Sequence, residues 1–316
     1  MNRRTAIRSL MVAGAVSWIG RRFPAAADDP SEFIIHSDVR LVLLDVSVKD
    51  RDGGFVAGLS KADFQVFENG MPQQITVFGN NDIPVTVGLV VDSSLSMMPK
   101  RAAVVEAAST FVEASNPHDE IFVLNFNDTV RPGLPAGELF SDNVKQLRAA
   151  IFRGLPEGRT ALNDAVMEGL QQLELGKEDK KTLIVISDGG DNASKHTHRQ
   201  MMEAVERSIA TIYTIGLFEP LDPDRNPHVL SKLANVSGGI AYFPDPYRPK
   251  DLAEVCREIA KDIRTRYTLG YNPPVRNGGN LRRIHVTVSA PGRHRLIART
   301  RSSYRYDEAA AQTARS

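Results

Sequence analysis

The sequence has 316 residues, of which 42% are hydrophobic and 24% are charged, so the chain can bury a core and is not a disordered polyelectrolyte. Its formal net charge of +1 gives no electrostatic reason to expect binding to nucleic acid or to an anionic membrane. The single cysteine, Cys256, excludes an intramolecular disulfide and cysteine-based zinc and iron–sulfur sites. At about 100–200 residues per domain, the length predicts two domains, or one large domain with an appendage.

Residues 1–27 have the pattern of a signal peptide. A basic start with Arg3 and Arg4 precedes an apolar run over 10–19 and three alanines at 25–27. The run is shorter than the roughly 20 residues that span a bilayer. The arginine pair fits a twin-arginine signal, but the next residues lack the usual bulky apolar pair, so Sec export stays open. We expect an exported protein, periplasmic or extracellular, that begins near Asp28 and does not insert into the membrane.

Residues 28–83 form an N-terminal segment with short β patterns. The run over 39–48 is apolar and β-branched, and Asn69-Gly70 between two alternating runs is a strong hairpin signal. These strands are too few for a stable sheet domain of their own. We therefore expect them to pack on another part of the chain.

Residues 84–265 alternate between apolar strand patterns and amphipathic helical patterns. The predicted strands cover 85–91, 121–126, 182–187 and 211–217, and the predicted helices cover 100–114, 141–152, 161–173, 198–210 and 251–264. The strands are apolar on both faces, as central parallel strands are. This alternation predicts an α/β fold with a doubly wound, mostly parallel open sheet. Ligands of such sheets bind outside the carboxyl ends of the strands.

Residues 266–305 return to a β pattern. Three short strands are predicted at 267–271, 283–288 and 295–299, with proline and glycine turns between them and their arginines on an outward face. We expect them to pair with the N-terminal strands, which gives one small β domain built from both ends of the chain. Residues 306–316 are predicted to be a flexible tail.

Oxygen-bearing side chains collect where the predicted strands and loops of the α/β part end. Alternate residues of an extended turn point to the same side, which explains the spacing of Asp92-x-Ser94-x-Ser96. Thr160 opens a helix, and Asp188 follows the strand over 182–187. Hydroxyls and carboxylates with room for water suit Mg²⁺. Because only two of these groups are carboxylates, a carboxylate of a ligand could complete the site.

These residues resemble the metal-ion-dependent adhesion site of the von Willebrand factor type A domain. The family motif is Asp-x-Ser-x-Ser, then a Thr and an Asp at separate strand ends, and the similarity covers about residues 84–264. The resemblance implies that the hydroxyls bind the metal directly, that the aspartates act mostly through water, and that an acidic group of a partner fills the last position. The flanking β segments resemble those of bacterial exported proteins related to this family. The implied metal site consists of Asp92, Ser94, Ser96, Thr160 and Asp188.

The resemblance implies a binding or adhesion module that holds Mg²⁺, with Mn²⁺ or Ca²⁺ as alternatives. A protein partner would supply the carboxylate, and nucleic acid is not expected. The identity of the partner and the oligomeric state stay open. The alternative is a structural or assembly protein of the cell envelope, which the metal stabilises and which binds no acidic ligand. A third possibility is a metal-dependent hydrolase.

We expect no enzymatic activity. A phosphohydrolase with a nucleophilic Asp92 would need a second carboxylate two residues later, where Ser94 offers a hydroxyl that is neither anionic nor a good general acid. The sequence has no Gly-x-Ser-x-Gly, His-Glu-x-x-His or phosphate-binding loop motif. Asp191 and Asn192 are interpreted as loop residues, with acceptors that support the metal ligands as the alternative. His196 and His198 are interpreted as the solvated start of a helix, with a metal site as the alternative.

Export predicts a mature N-terminus near Asp28, outside the cytoplasm, which cell fractionation followed by N-terminal mass analysis would measure. The signal holds five arginines and no acidic residue, so cleavage leaves 34 basic and 38 acidic residues and a net charge of −4. An intact Met1 terminus in the cytoplasmic fraction would contradict the prediction.

Overall fold

The computed structural model describes residues 41–219, 225–274, 281–293 and 295–306. The predicted signal at 1–27 lies outside these residues, and so does the predicted tail except for Tyr306. Among the helices within these ranges, none is both long and apolar enough to cross a bilayer.

Strands and helices follow one another along this part of the chain in the order typical of an α/β protein with β extensions. The strands are β1 (Val42–Lys49), β2 (Phe64–Glu68), β3 (Met71–Gln73), β4 (Ile75–Gly79), β5 (Val85–Asp92), β6 (Glu120–Phe126), β7 (Val130–Pro132), β8 (Lys180–Ser187), β9 (Thr211–Gly216), β10 (Ala241–Tyr242), β11 (Tyr267–Tyr271), β12 (Leu281–Val288), β13 (Ile297–Arg299) and β14 (Ser303–Arg305). The helices are α1 (Arg101–Ala114), α2 (Val144–Phe152), α3 (Leu162–Leu173), α4 (His198–Arg207), α5 (Pro227–Ser237) and α6 (Pro249–Thr265). A 3₁₀ helix, Leu95–Lys100, leads directly into α1.

The central sheet has six strands in the order β10-β9-β8-β5-β6-β7, and all neighbours are parallel except β6 and β7. All eight residues of β5 are buried, as expected for a strand that helices cover on both faces. On one side α1 packs against α2 and α6, and a second group is formed by α3, α4 and α5. The predicted α/β fold with a mostly parallel sheet is therefore confirmed.

The position of β5 in this sheet decides where a ligand site can form. In the sheet, β5 has β6 on one side and β8 on the other. Of these two neighbours, β6 comes first along the chain. The connections that leave β5 and β8 therefore diverge, and a crevice opens at the carboxyl ends of these two strands.

Two four-stranded antiparallel sheets flank this part, in the orders β13-β1-β11-β4 and β14-β12-β2-β3. Each combines strands from both ends of the chain, since β1 and β4 pair with β11 and β2 pairs with β12. Both sheets contribute to one hydrophobic core that contains Leu44, Phe64, Leu269 and Ile284. The domain limits at 83/84 and 265/266 stay predictions.

The hairpin signal at Asn69-Gly70 corresponds to the turn between β2 and β3. Asn69 has φ 50° and Gly70 has φ 79°, the two left-handed conformations that a type I′ turn requires. Asparagine tolerates this region and glycine adopts it freely, so the local sequence alone specifies this turn.

Several elements differ from those that the sequence predicts, and three of them illustrate the physical reasons. The helix over 141–152 starts at Val144, because the side chain of Asn143 caps it by accepting from the backbone N–H groups of Lys145 and Gln146. Helix α5 was not predicted, although Asn226 caps it and proline follows at the first helical position. Strand β14 was also missed, because three residues carry no periodicity and only pairing with β12 makes them a strand.

The prediction that the C-terminal arginines face outward is wrong for Arg282. It shares one face of β12 with Ile284 and Val286, and its side chain is 3% exposed. There it forms an ion pair with Glu68 of β2 at 2.7 Å, and the hydroxyls of Tyr271 and Tyr304 donate to the same carboxylate at 2.7 and 2.8 Å. Arg301 is also buried, at 9% exposure.

Another buried arginine, Arg266, joins the α/β part to the flanking strands. Arg266 is the single residue between α6 and β11. Its guanidinium donates to the carboxylate of Asp262 at 3.0 Å, to the hydroxyl of Tyr213 at 3.1 Å and to the carbonyl of Gly238 at 2.9 Å. A longer contact of 3.4 Å reaches the carbonyl of Asp45 in β1. Arg266 therefore connects α6, β9 and the first flanking strand.

Replacing Glu68 with alanine should lower the free energy of unfolding by about 3–5 kcal/mol, because Arg282 would remain buried without its partner. Urea unfolding would measure the loss. Glu113→Ala, at an exposed position of α1, is the matched control and should change stability by less than about 0.5 kcal/mol. A loss below about 1 kcal/mol for Glu68→Ala would show that the pair does not hold the two chain ends together.

Candidate metal centre

The crevice at the carboxyl ends of β5 and β8 contains the carboxylate of Asp92, the last residue of β5. Asp92 is fully buried. Its Oδ1 accepts from the backbone N–H of Ser94 at 2.8 Å, and its Oδ2 accepts from the hydroxyl of Ser187 at 2.7 Å. Ser187 ends β8, so hydrogen bonds from two different segments hold this carboxylate in one orientation.

The two serines of the motif lie between this carboxylate and the next strand end. The hydroxyl oxygens of Ser94 and Ser96 are 3.1 Å apart, and the hydroxyl of Ser96 donates to Oδ2 of Asp188 at 2.6 Å. The structure thus brings four of the predicted residues into one hydrogen-bonded group: Asp92, Ser94, Ser96 and Asp188.

Thr160 joins this group through the backbone of its loop. Its N–H donates to the side-chain oxygen of Asn192 at 2.9 Å, and its carbonyl accepts from the N–H groups of Asn192 and Ala193 at 2.9 and 3.0 Å. The same loop binds the Asp92 loop, because the N–H of Leu95 donates to the carbonyl of Gly158 at 3.2 Å. The three loops that carry the predicted residues are therefore fastened to one another.

Of the two interpretations of Asn192, the structure agrees with the acceptor that supports a metal ligand, because its side chain accepts from the N–H of Thr160. The sequence signal that could have indicated this role is Gly189, in the turn after Asp188. Gly189 has φ 81°, and a Cβ atom there would lie 2.4 Å from the carbonyl oxygen of Asn226. Only glycine fits there, and this turn returns the chain toward the Thr160 loop.

His196 has a role that the sequence did not indicate. Its ring lies 2.7 Å from the carboxylate of Asp164, which also accepts from the backbone N–H groups of Lys195 and His196. The histidine therefore helps to fasten the loop before α4 to α3. Asp191 accepts from the side chain of Asn163 and from the backbone N–H of Ser194 at 3.2 Å.

The electrostatics of the crevice favour a cation. Burial and, after it, the charge of Asp188 raise the pKa of Asp92 to about 7, although the hydrogen bonds from Ser187 and Ser94 act in the opposite direction. The charge of Arg101 acts on Asp92, but no lysine or arginine of the described ranges lies within ion-pair distance of either carboxylate. A buried carboxylate with a second one nearby needs a proton or a cation to offset its charge.

The donor set fits a hard cation. In the part of the chain that the structure describes, no group of three or more His, Cys, Asp or Glu side chains is arranged to hold a metal. A metal in this crevice would therefore depend on hydroxyl oxygens together with the two carboxylates. Such an all-oxygen set suits Mg²⁺, Mn²⁺ or Ca²⁺ better than metals that prefer nitrogen or sulfur. The residues that would hold it are Asp92, Ser94, Ser96, Thr160 and Asp188.

The family model of the von Willebrand factor type A domain matches residues 87–190, a range that includes all five of these residues. The chain contains a von Willebrand factor type A domain. Among curated proteins, no sequence matches the chain.

Solved structures are similar to this chain in fold. A von Willebrand factor type A protein from Catenulispora acidiphila has a TM-score of 0.50 and 16% identity, over 87% of this chain and 76% of that one. Proximal thread matrix protein 1 from the mussel byssus has a TM-score of 0.50 and 14% identity, over 62% of this chain and 51% of that one. A further structure of the mussel protein, with a zinc-occupied metal-ion-dependent adhesion site, has a TM-score of 0.48, 15% identity and coverages of 62% and 49%.

Replacing Asn192 with alanine should weaken binding of a divalent cation by about 10–100-fold, because Thr160 loses the side chain that orients its loop. Titration calorimetry with Mg²⁺ would measure the change. Asn192→Asp retains an acceptor oxygen for the N–H of Thr160 and should bind the cation at least as well as the wild type. Equal affinities of Asn192→Ala and the wild type would contradict the positioning role.

Proposed function

We propose that this protein is an exported binding module, periplasmic or extracellular, whose von Willebrand factor type A domain holds a divalent cation and binds an acidic group of a protein partner. The cation is Mg²⁺, with Mn²⁺ or Ca²⁺ as alternatives. The observation that carries the proposal is the buried pair of carboxylates, Asp92 and Asp188. The hydroxyls of Ser94 and Ser96 lie between them, and neither carboxylate forms an ion pair with a basic side chain within the described ranges.

Each residue of the centre has a distinct part in this function. The hydroxyls of Ser94, Ser96 and Thr160 would bind the metal, and the two aspartates would balance the charge of a divalent ion without exceeding it. Ser187 keeps the carboxylate of Asp92 oriented across the strand ends. The bound cation would supply an open position for a partner carboxylate. Binding without catalysis agrees with Ser94, which stands where a hydrolase of this kind would need a second carboxylate.

The alternative is a structural or assembly module of the cell envelope, in which the metal holds the loops and no acidic ligand binds. The backbone hydrogen bonds between the three loops favour it as a second candidate. Besides the contact of Leu95 with Gly158, the N–H of Glu157 donates to the carbonyl of Ser93 at 2.9 Å. A cation at the point where these loops meet would stabilise their arrangement.

Thermal unfolding of the mature protein in Mg²⁺ and in excess chelator tests the metal centre. At a cation concentration one hundred times its Kd, binding should stabilise the wild type by about 2.7 kcal/mol. Asp92→Ala should show no difference between the two conditions. Asp179→Ala, an exposed aspartate at the opposite end of β8, should behave like the wild type. A wild-type transition that Mg²⁺, Mn²⁺ and Ca²⁺ all leave unchanged would refute the metal centre.

A pull-down from the native cell envelope or culture fluid, with and without chelator, separates the two candidates. Chelator and Asp92→Ala should both abolish capture if a partner carboxylate binds the metal. Metal-dependent unfolding combined with capture that resists chelator would favour the structural module.

A further inference from the structure

A groove of about 800 Å³ runs between α1 and α2 on the surface of the von Willebrand factor type A domain. Its floor is formed by the small or apolar side chains of Ala102, Val105 and Ala149. The residues that α2 contributes stand at positions i, i+3, i+4 and i+7, so they lie on one face of that helix. They are Lys145, Arg148, Ala149 and Phe152.

Two large apolar side chains border the groove without being buried. Met98 of the 3₁₀ helix is 53% exposed, and Phe152 at the end of α2 is 67% exposed. Val105, by contrast, is 7% exposed and belongs to the core. Exposed apolar side chains gathered around a concave surface are typical of a site for another molecule.

The rim of the groove is basic. It carries Lys145, Arg148 and the half-buried Arg101, whose guanidinium already donates to the carbonyl of Ile151 and the hydroxyl of Ser93, against the single carboxylate of Glu106. Lys145 and Arg148 are exposed, and neither forms an ion pair within the described ranges. The groove therefore has a local positive charge on a mature chain whose predicted net charge is −4. An occupant that complements it needs apolar side chains for the floor and carboxylates for the rim.

The groove begins next to the candidate metal centre. The 3₁₀ helix that carries Ser96 also carries Met98, and Arg101 reaches back so that its Nη1 lies 3.3 Å from the hydroxyl oxygen of Ser93. One partner could therefore contact the metal centre and the groove at the same time.

We propose that this groove binds a short amphipathic, acidic segment of a protein partner. Its apolar side chains lie on the floor between Met98 and Phe152, and its carboxylates face Arg101, Lys145 and Arg148. The proposal adds the sequence character of the partner to the proposed function, but binding in the groove does not need the metal. An experiment can therefore refute peptide binding in the groove without refuting the metal centre, and the reverse also holds.

A selection from a displayed library of random 16-residue peptides tests the groove, with the mature protein as target and chelator present throughout. Peptides that also bind the double variant Phe152→Ser, Lys145→Glu are discarded. Both positions are exposed, so the variant should fold, and circular dichroism and thermal unfolding check that it does. The matched control is Leu175→Ser, Lys250→Glu, which makes the same kinds of change at exposed positions outside the groove.

We expect the enriched peptides to combine a net negative charge with regularly spaced apolar residues. Fluorescence anisotropy should show binding at least tenfold weaker to the groove variant and unchanged to the control variant. Replacing the chelator with Mg²⁺ should leave the affinity of these peptides unchanged, whether or not the metal centre is functional.

Several results would overturn the proposal. They are the absence of any enriched peptide, enrichment of basic or uncharged peptides, and an equal loss of binding in the control variant. It would also fail if the groove variant instead lost binding to phosphatidylglycerol vesicles or lost self-association in sedimentation experiments, because the occupant would then be a membrane or a second copy of the chain.

Discussion

Parallel pairing between β5 and β8 is the constraint on which the candidate metal centre depends. The register aligns Val91 with Ile186, so Asp92 and Ser187 end their strands side by side and Asp188 follows at once. Two carboxylates thereby enter one buried crevice, where desolvation and the charge of Asp188 oppose the ionisation of Asp92. Serine hydroxyls offset part of this cost. The rest of the cost explains why a divalent cation would stabilise the crevice.

The flanking sheets depend on a different interaction, the buried ion pair. Arg266 and Asp262 join the end of α6 to the flanking strand β1, and Arg282 and Glu68 join β12 to β2. Each pair links parts of the chain whose arrangement local sequence leaves open. A buried ion pair contributes little net free energy compared with apolar residues of the same size, but its disruption leaves an uncompensated charge. Such pairs favour one arrangement of the two chain ends over others.

In the proposed function, the metal centre and the groove between α1 and α2 would divide recognition between two kinds of interaction. A metal–carboxylate contact is strong and directional but accepts any acidic group that can reach it. The groove adds shape and a pattern of charge, which distinguish one acidic segment from another. The 3₁₀ helix Leu95–Lys100 carries residues of both, so one short element connects the two surfaces.

The α/β class and the grouping of the strand-end residues follow from local pattern. Runs that are apolar on both faces require a parallel sheet with helices on each side, and parallel strands bring their carboxyl ends to one edge. The Asn69-Gly70 turn is equally local. Contacts between distant residues decided the rest: Asn192 acquires its role only because the chain folds back onto Thr160, and Arg282 is buried only because Glu68 meets it from β2. Strand β14 exists only through its pairing with β12. Sequence pattern records the preferences of neighbouring residues, whereas these features depend on energies that arise when segments about 20 to 210 residues apart meet.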